Sequence, residues 1–206
     1  MKLNGVKSGI IMAMPIEAEP FIQGLGMEPV ETWPFPLYRL DDIFLMVTGI
    51  GRVRASAASA YLISRYNPDI MINMGTAGSN VETIEAGRIF SINTVYDGDL
   101  ALYRGPEYFE YVLETFTGLD TAALLTSDRP SITAEERVRA AEKAELSDME
   151  GSSFAHVCGL FNKEAYIFKI VSDGPGSETF KSIREGIVKY SGDMFGFFKS
   201  EILGKK

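Results

Sequence analysis

The sequence predicts an α/β protein: a three-layer sandwich around a central mixed, mostly parallel sheet, with residues 1–206 as one domain. Three observations predict it. Short apolar runs of strand length, such as residues 6–13 and 165–171, alternate with segments whose apolar residues recur at three- and four-residue spacing. One insertion, residues 37–48, reads as a pair of antiparallel strands. Neither an internal repeat nor a linker divides the 206 residues, and a 46% hydrophobic content is enough for a substantial core.

Residues 6–13 form a buried first strand, and Pro15 at a first helical position starts a helix toward Leu25. Pro34 and Pro36 punctuate the approach to two antiparallel strands, 37–40 and 43–48, joined at Asp41 and Asp42. The turn Gly49-Ile50-Gly51 then opens a helix over Arg52–Tyr66, with Ala57, Ala60 and Tyr61 on one face. A dinucleotide-binding reading of that turn fails, because Arg54 stands where the third glycine belongs. Residues 69–78 give a strand and a glycine-bearing crevice loop, and residues 88–96 another strand. Residues 104–118, aromatic and acidic, read as an irregular or helical surface segment, and residues 119–126 as a strand. Thr133 caps a charged helix that runs to Ala144, with Glu136 completing the capping box. Phe154, Val157, Cys158 and Phe161 make the apolar stripe of a helix opened by Glu150, and residues 165–171 follow as a buried strand. The last helix runs from about Ser177 to Leu203. Phe180, Ile183 and Ile187 share one of its faces, and Gly186 or Gly196 could break it.

Composition excludes several classes of function. A net charge of −8 without a basic run argues against nucleic acid, since phosphate contacts need basic patches. One Cys and one His cannot build a disulfide framework and make a zinc site improbable, so His156 and Cys158 are expected to be structural and no metal or cofactor is expected. A reducing, cytoplasmic setting fits that cysteine usage. The apolar run GIIMAM is too short for the core of a signal peptide, and Pro15 and Glu17 follow in place of a cleavage site. Nothing approaches the ~20 apolar residues of a membrane span, so no membrane partner is expected.

Several residues stand where chemistry is expected. Asp173 ends a strand just before a Gly-Pro-Gly turn, and in open α/β sheets the carboxyl ends of strands form the ligand crevice. Glu150 opens the helix that precedes this strand, and Glu17 lies in the first turn of another helix. Gly75 and Gly78 allow close backbone approach to a ligand, and the Thr76 hydroxyl both donates and accepts.

The motifs DMEGSSFAHVC at 148–158 and VSD at 171–173 resemble the paired signatures of the purine nucleoside phosphorylase and nucleosidase superfamily. The closest branch is the 5'-methylthioadenosine/S-adenosylhomocysteine nucleosidases. The resemblance covers most of the chain, which is short for the family around 99–120 and after Asp173. It implies a nucleoside phosphorylase-like fold, N-glycosidic hydrolysis of a 5'-modified purine nucleoside, a place in methionine salvage and a homodimer. It also implies that Met149 and Glu150 hold the ribose and that Asp173 protonates the leaving base. Through AMPIE at 13–17, it makes Glu17 the group that polarises the attacking water. GTAG at 75–78 matches the family's glycine turn, with Thr76 and Gly78 against the substrate. Met14, Ile50 and Phe180 fall where the family builds an apolar pocket for the 5'-alkylthio group, and Leu100 and Tyr103 where a loop crosses to line a neighbouring copy's pocket.

Cleaving a ribosyl–base bond needs a nucleophile at the anomeric carbon, tolerance of oxocarbenium charge and neutralisation of the departing base. Glu17 as base, Glu150 on the sugar hydroxyls and Asp173 as acid supply these in the implied mechanism. Asp173 must then hold a proton although a free Asp titrates near ~3.9, and burial beside other carboxylates is the expected cause. Phosphorylases of the superfamily place cations after the first strand and before the glycine turn. Residues 14–17 and 71–73 offer none, which favours water over phosphate. Pro130 or Ser131 stands where the family stacks a Phe beneath the base, and Gly176 where it often has a second Asp. A different base or 5' group, such as that of futalosine, is therefore the nearest alternative. A phosphate-dependent phosphorylase and a non-catalytic nucleoside-binding protein are the others.

Overall fold

The computed structural model describes residues 3, 5–100, 109–177 and 179–204. Among the described residues the order is β1 (Ser8–Met12), α1 (Pro15–Leu25), β2 (Glu28–Glu31), β3 (Leu37–Leu40), β4 (Ile43–Val47), α2 (Arg52–Tyr66) and β5 (Ile70–Ser79). Then come β6 (Ile89–Asp97), β7 (Phe109–Val112), β8 (Thr121–Thr126), α3 (Ala134–Ala141), β9 (Leu146–Asp148), α4 (Gly151–Leu160), β10 (Glu164–Asp173) and α5 (Phe180–Phe197), which ends in a π-helical turn at Phe198–Ile202.

Side-chain alternation along the strands builds two cores, one on each face of the sheet. Ile10 and Met12 of β1 face a cluster closed by Phe21 of α1, Met194 of α5 and Phe198. Ile11, between them, faces a second cluster closed by Ala55, Ala58 and Leu62 of α2 and by Phe154 of α4. The sheet is mixed, as expected, but it is not a plain middle layer. Among the described residues five strand pairings are parallel and five antiparallel. It also closes on itself through β5, β10, β6, β8, β9 and back to β5, with β1, β4, β3 and β2 extending from β5. The cause is the length of β5. Its first half pairs with β1 through Ile70 to Asn73, while its end, Gly78 and Ser79, has turned to pair with β9.

Local signals explain most boundaries. Thr133 and Glu136 form the expected capping box, with Glu136 N donating to Thr133 Oγ1 at 3.2 Å and Thr133 N to Glu136 Oε2 at 2.9 Å. The last helix starts at Phe180 rather than near Ser177, because Thr179 caps it by accepting from Ser182 N at 3.1 Å. Neither Gly186 nor Gly196 breaks it. β2, β7 and β9 went unread in the sequence. The segment 109–112, expected to be irregular or helical, pairs with β6 as an antiparallel strand. Cys158 is buried as expected, and burial pushes its thiol up to about 12. His156 corrects an expectation: it is exposed on the outer side of α4, with Nδ1 3.0 Å from the Tyr111 hydroxyl. No helix among the described residues is long and apolar enough to cross a membrane.

Candidate active site

Glu17 belongs to the first turn of α1, and its carboxylate reaches back to the chain that enters the helix: Met14 N donates to Oε2 at 3.1 Å. Oε1 is held from β5 by the Thr76 amide and the Thr76 hydroxyl, each at 2.8 Å. A Cβ on Gly75 would stand 3.1 Å from that oxygen, so the glycine makes room for the carboxylate. Glu17 is only 3% exposed. Burial pushes its carboxyl above the ordinary range, against the Thr76 donors and the charge of Lys169.

Glu150 sits in the N-cap position of α4, where β9 runs into the helix, and its Oε1 accepts from Gly51 N at 2.8 Å. Gly49 and Gly51 have φ of 81° and 105°, values that only glycine adopts without strain. The turn that fails as a dinucleotide motif thus aims a backbone amide at Glu150. Burial first, then the Asp148 charge, pushes the Glu150 carboxyl up to about 7, with Lys169 and the Gly51 amide opposing.

Asp173 ends β10 in an irregular register. Val171 pairs with Ala77 and Asp173 with Gly78, so Ser172 is an extra residue, the kind of bulge that re-aims side chains beside sites. The Ser172 hydroxyl donates to Asp173 Oδ1 at 2.6 Å. Oδ2 accepts from Arg137 Nη2 in a buried ion pair, and Arg137 Nη1 donates to Ser79 O at 2.5 Å. A Cβ on Gly78 would lie 3.0 Å from Arg137 Nη1 and 3.1 Å from Asp173 Oδ2. A second buried pair joins Lys169 Nζ to Asp148 Oδ2 at 2.8 Å, and Asp148 also accepts from Thr126 Oγ1 at 2.6 Å and Gly151 N at 2.9 Å. Burial alone would push the Lys169 ammonium down. Asp148, Glu150 and Glu17 outweigh it and hold the lysine charged.

Glu17, Glu150 and Asp173 open into one cavity of about 630 Å³, within the usual size of a small-molecule site. Met14, Ile50, Thr76, Gly78, Met149 and Phe180 line it as well. The profile of the phosphorylase superfamily matches residues 7–197. The chain belongs to that superfamily.

Among its curated relatives is a 5'-methylthioadenosine/S-adenosylhomocysteine nucleosidase from Buchnera aphidicola. It is 28% identical over an alignment of 186 positions, with 79% of this chain and 80% of the relative covered. Among solved structures, the Helicobacter pylori enzyme of the same name, bound to butyl-thio-DADMe-Immucillin-A, superposes with a TM-score of 0.85 at 18% identity, covering 95% of this chain and 97% of that one. A futalosine hydrolase structure from Helicobacter pylori superposes with a TM-score of 0.84 at 18% identity, covering 96% and 97%.

Most of the residues singled out in the sequence meet in the superfamily cavity, but not all as expected. Thr76 spends its amide and hydroxyl on Glu17. Leu100 does not line the cavity of its own chain, and its amide donates to Asp97 Oδ1 at 3.2 Å. Tyr103 lies outside the described residues. Pro130 and Ser131 line the cavity, and Phe180 is the one aromatic among the described lining residues. Sequence reasoning missed Arg137 and expected carboxylates beside Asp173; the charged group in contact is a guanidinium. The available signal was spacing, since Arg137 shares a helical stripe with buried Ala140 and Ala144. Lys169 was missed as well. A lone lysine inside a buried strand demands a counter-charge, and that demand was the signal.

Proposed function

We propose that this protein hydrolyses the N-glycosidic bond of a purine nucleoside, first of all a 5'-modified adenosine such as 5'-methylthioadenosine or S-adenosylhomocysteine, with water as nucleophile. One observation carries the reading: buried carboxylates from α1, from the start of α4 and from the β10 bulge converge on one cavity. Glu17, whose burial favours the protonated form, takes the proton of the attacking water as its oxygen bonds to the anomeric carbon. Glu150 and Met149 hold the sugar, and the acidic floor offsets the oxocarbenium charge. Asp173 takes up a proton from solvent in the substrate complex and, as the C–N bond breaks, passes it to the base. The carboxylate left behind is the form that Arg137 and Ser172 stabilise. A phosphate nucleophile is disfavoured, because Lys169, the cation near Glu17, is already paired with Asp148.

The Buchnera and Helicobacter nucleosidases support this chemistry. Pro130 and Ser131, in place of an aromatic surface, favour a second reading with another base or 5' group, such as a futalosine-type hydrolase. We take the chain as one domain that acts in the cytoplasm as a homodimer. Exposed Val53, Val112 and Leu100 support an apolar contact between copies. The deciding experiment incubates the protein with 5'-methylthioadenosine, S-adenosylhomocysteine and futalosine, with and without phosphate, and follows free base. Release without phosphate is expected. A requirement for phosphate would make it a phosphorylase, and a thermal shift without base release a nucleoside-binding protein. Sedimentation at micromolar concentration should show a dimer, and a monomer alone would refute that part.

A further inference from the structure

The α5 wall of the cavity is apolar except at one position. Phe180, Ile183, Arg184 and Ile187 follow the i, i+3, i+4, i+7 spacing of a single helix face, and all four line the cavity. Arg184 has no hydrogen-bond or ion-pair partner among the described residues. The acid beside it in sequence, Glu185, lies 3.9 Å from Lys181 instead. The other two cations of the region are occupied: Lys169 pairs with Asp148, and Arg137 with Asp173. Position along the cavity matters too. Glu17, Glu150 and Asp173 are buried at the floor, whereas Ile50 and Phe180, 52% and 71% exposed, form the mouth together with exposed Arg184. The wall is also fixed against the floor. A Cβ on Gly186 would fall 2.0 Å from Ser172 O, so the glycine lets α5 press directly on the strand end that carries Asp173.

We propose that Arg184 reads a carboxylate at the far end of an apolar 5' substituent, making the mouth of this cavity selective for anionic over neutral nucleoside tails. The proposal rests on the nucleosidase reading for the orientation of the substrate, with the sugar and base at the acidic floor and the 5' group outward. A guanidinium offers a planar fork that matches a carboxylate, and the Ile50 and Phe180 side chains suit the methylenes leading to it. A phosphate directly on C5' fits less well, since it would place a dianion against those apolar groups and nearer the floor carboxylates.

The test uses a matched pair of nucleosides, 5'-carboxyalkylthio-adenosine and its carboxamide, with adenosine 5'-monophosphate as the phosphate arm. Both kcat/KM for base release and the dissociation constant from calorimetric titration are measured. The wild type should prefer the acid to the amide by about two- to fivefold, the scale of a solvent-exposed ion pair, and the preference should shrink with salt. Arg184→Gln should bring the ratio close to one, Arg184→Lys should keep part of it, and Arg184→Glu should reverse it. An acid preference unchanged in Arg184→Gln, or no preference in the wild type, overturns the proposal. So does tighter binding of the monophosphate than of the carboxyalkyl compound. If neither nucleoside releases base while the titrations still show an Arg184-dependent acid preference, the hydrolytic reading fails and the assignment of the mouth stands. If base is released with a ratio indifferent to Arg184, the reverse holds.

Discussion

Removing one half of a buried ion pair leaves the other charge without a partner, which makes Asp173 and Arg137 separable by substitution. Arg137→Met should lower the unfolding free energy by about 3–5 kcal/mol. Adding Asp173→Asn removes the stranded charge and should recover part of that stability, measured as the urea midpoint, but none of the turnover. A double variant no more stable than Arg137→Met would mean that the guanidinium matters through packing alone. Asp173→Asn by itself should reduce kcat by ~10²–10⁴, because an amide can donate a hydrogen bond but cannot give up a proton. A substrate whose base departs without protonation should regain much of that loss. Glu17→Gln should stay slow with both substrates, and near-normal turnover in Asp173→Asn would place the acid elsewhere. These carboxylates were legible in the sequence because each stands at the end of a recognisable strand or helix start. Their cationic partners were not, since Arg137 and Lys169 acquire meaning only when α3 and β10 bring them to Asp173 and Asp148.

Elements were legible where burial imposes a continuous pattern. β1, β4 and the middle of β10 are apolar runs, and α1, α2 and α3 carry start signals in Pro15, the glycine turn and Thr133. β2, β7 and β9 are three or four residues long, and their strand character comes from the neighbour each pairs with. Gly186 shows the same limit in a helix. In the sequence it reads as a place where a helix could break, whereas in the fold it is a place where a helix touches a strand. Gly186→Ala therefore forces α5 away from Ser172 and should cost about 1–3 kcal/mol together with a loss in kcat/KM. Gly192 lies on the same helix with nothing within 4 Å of a Cβ, so Gly192→Ala should stabilise by about 0.4–1 kcal/mol. Thermal unfolding of the two variants separates the roles. Equal effects at both positions would refute the contact argument.

At the scale of the whole molecule, sheet closure was beyond sequence reasoning, because it depends on β5 exchanging β1 for β9 along its own length. Closure carries an electrostatic cost that pH can expose. It brings β9, and with it Asp148 and Glu150, against the side of the sheet that holds Lys169 and the floor of the cavity. The Glu150 carboxyl rises from an ordinary 4.5 to about 7, with burial as the main cause, and burial raises Glu17 as well. Between those two pH values the folded protein holds protons that the unfolded chain has released. Stability must therefore fall as pH rises through the window. Glu31 acts in the opposite sense, held low by the Tyr66 and Tyr61 hydroxyls, but its contribution is lost only as pH drops below the ordinary carboxylate value, outside that window. The wild type should thus unfold at a lower temperature at pH 7.5 than at pH 5.5. In Glu150→Gln, which keeps an acceptor for the Gly51 amide, the difference should shrink by an amount on the order of 1–2 kcal/mol. Urea titrations of both proteins at the two pH values read this directly. An identical pH dependence in the variant would mean that Glu150 ionises in the folded protein much as it does in the unfolded chain.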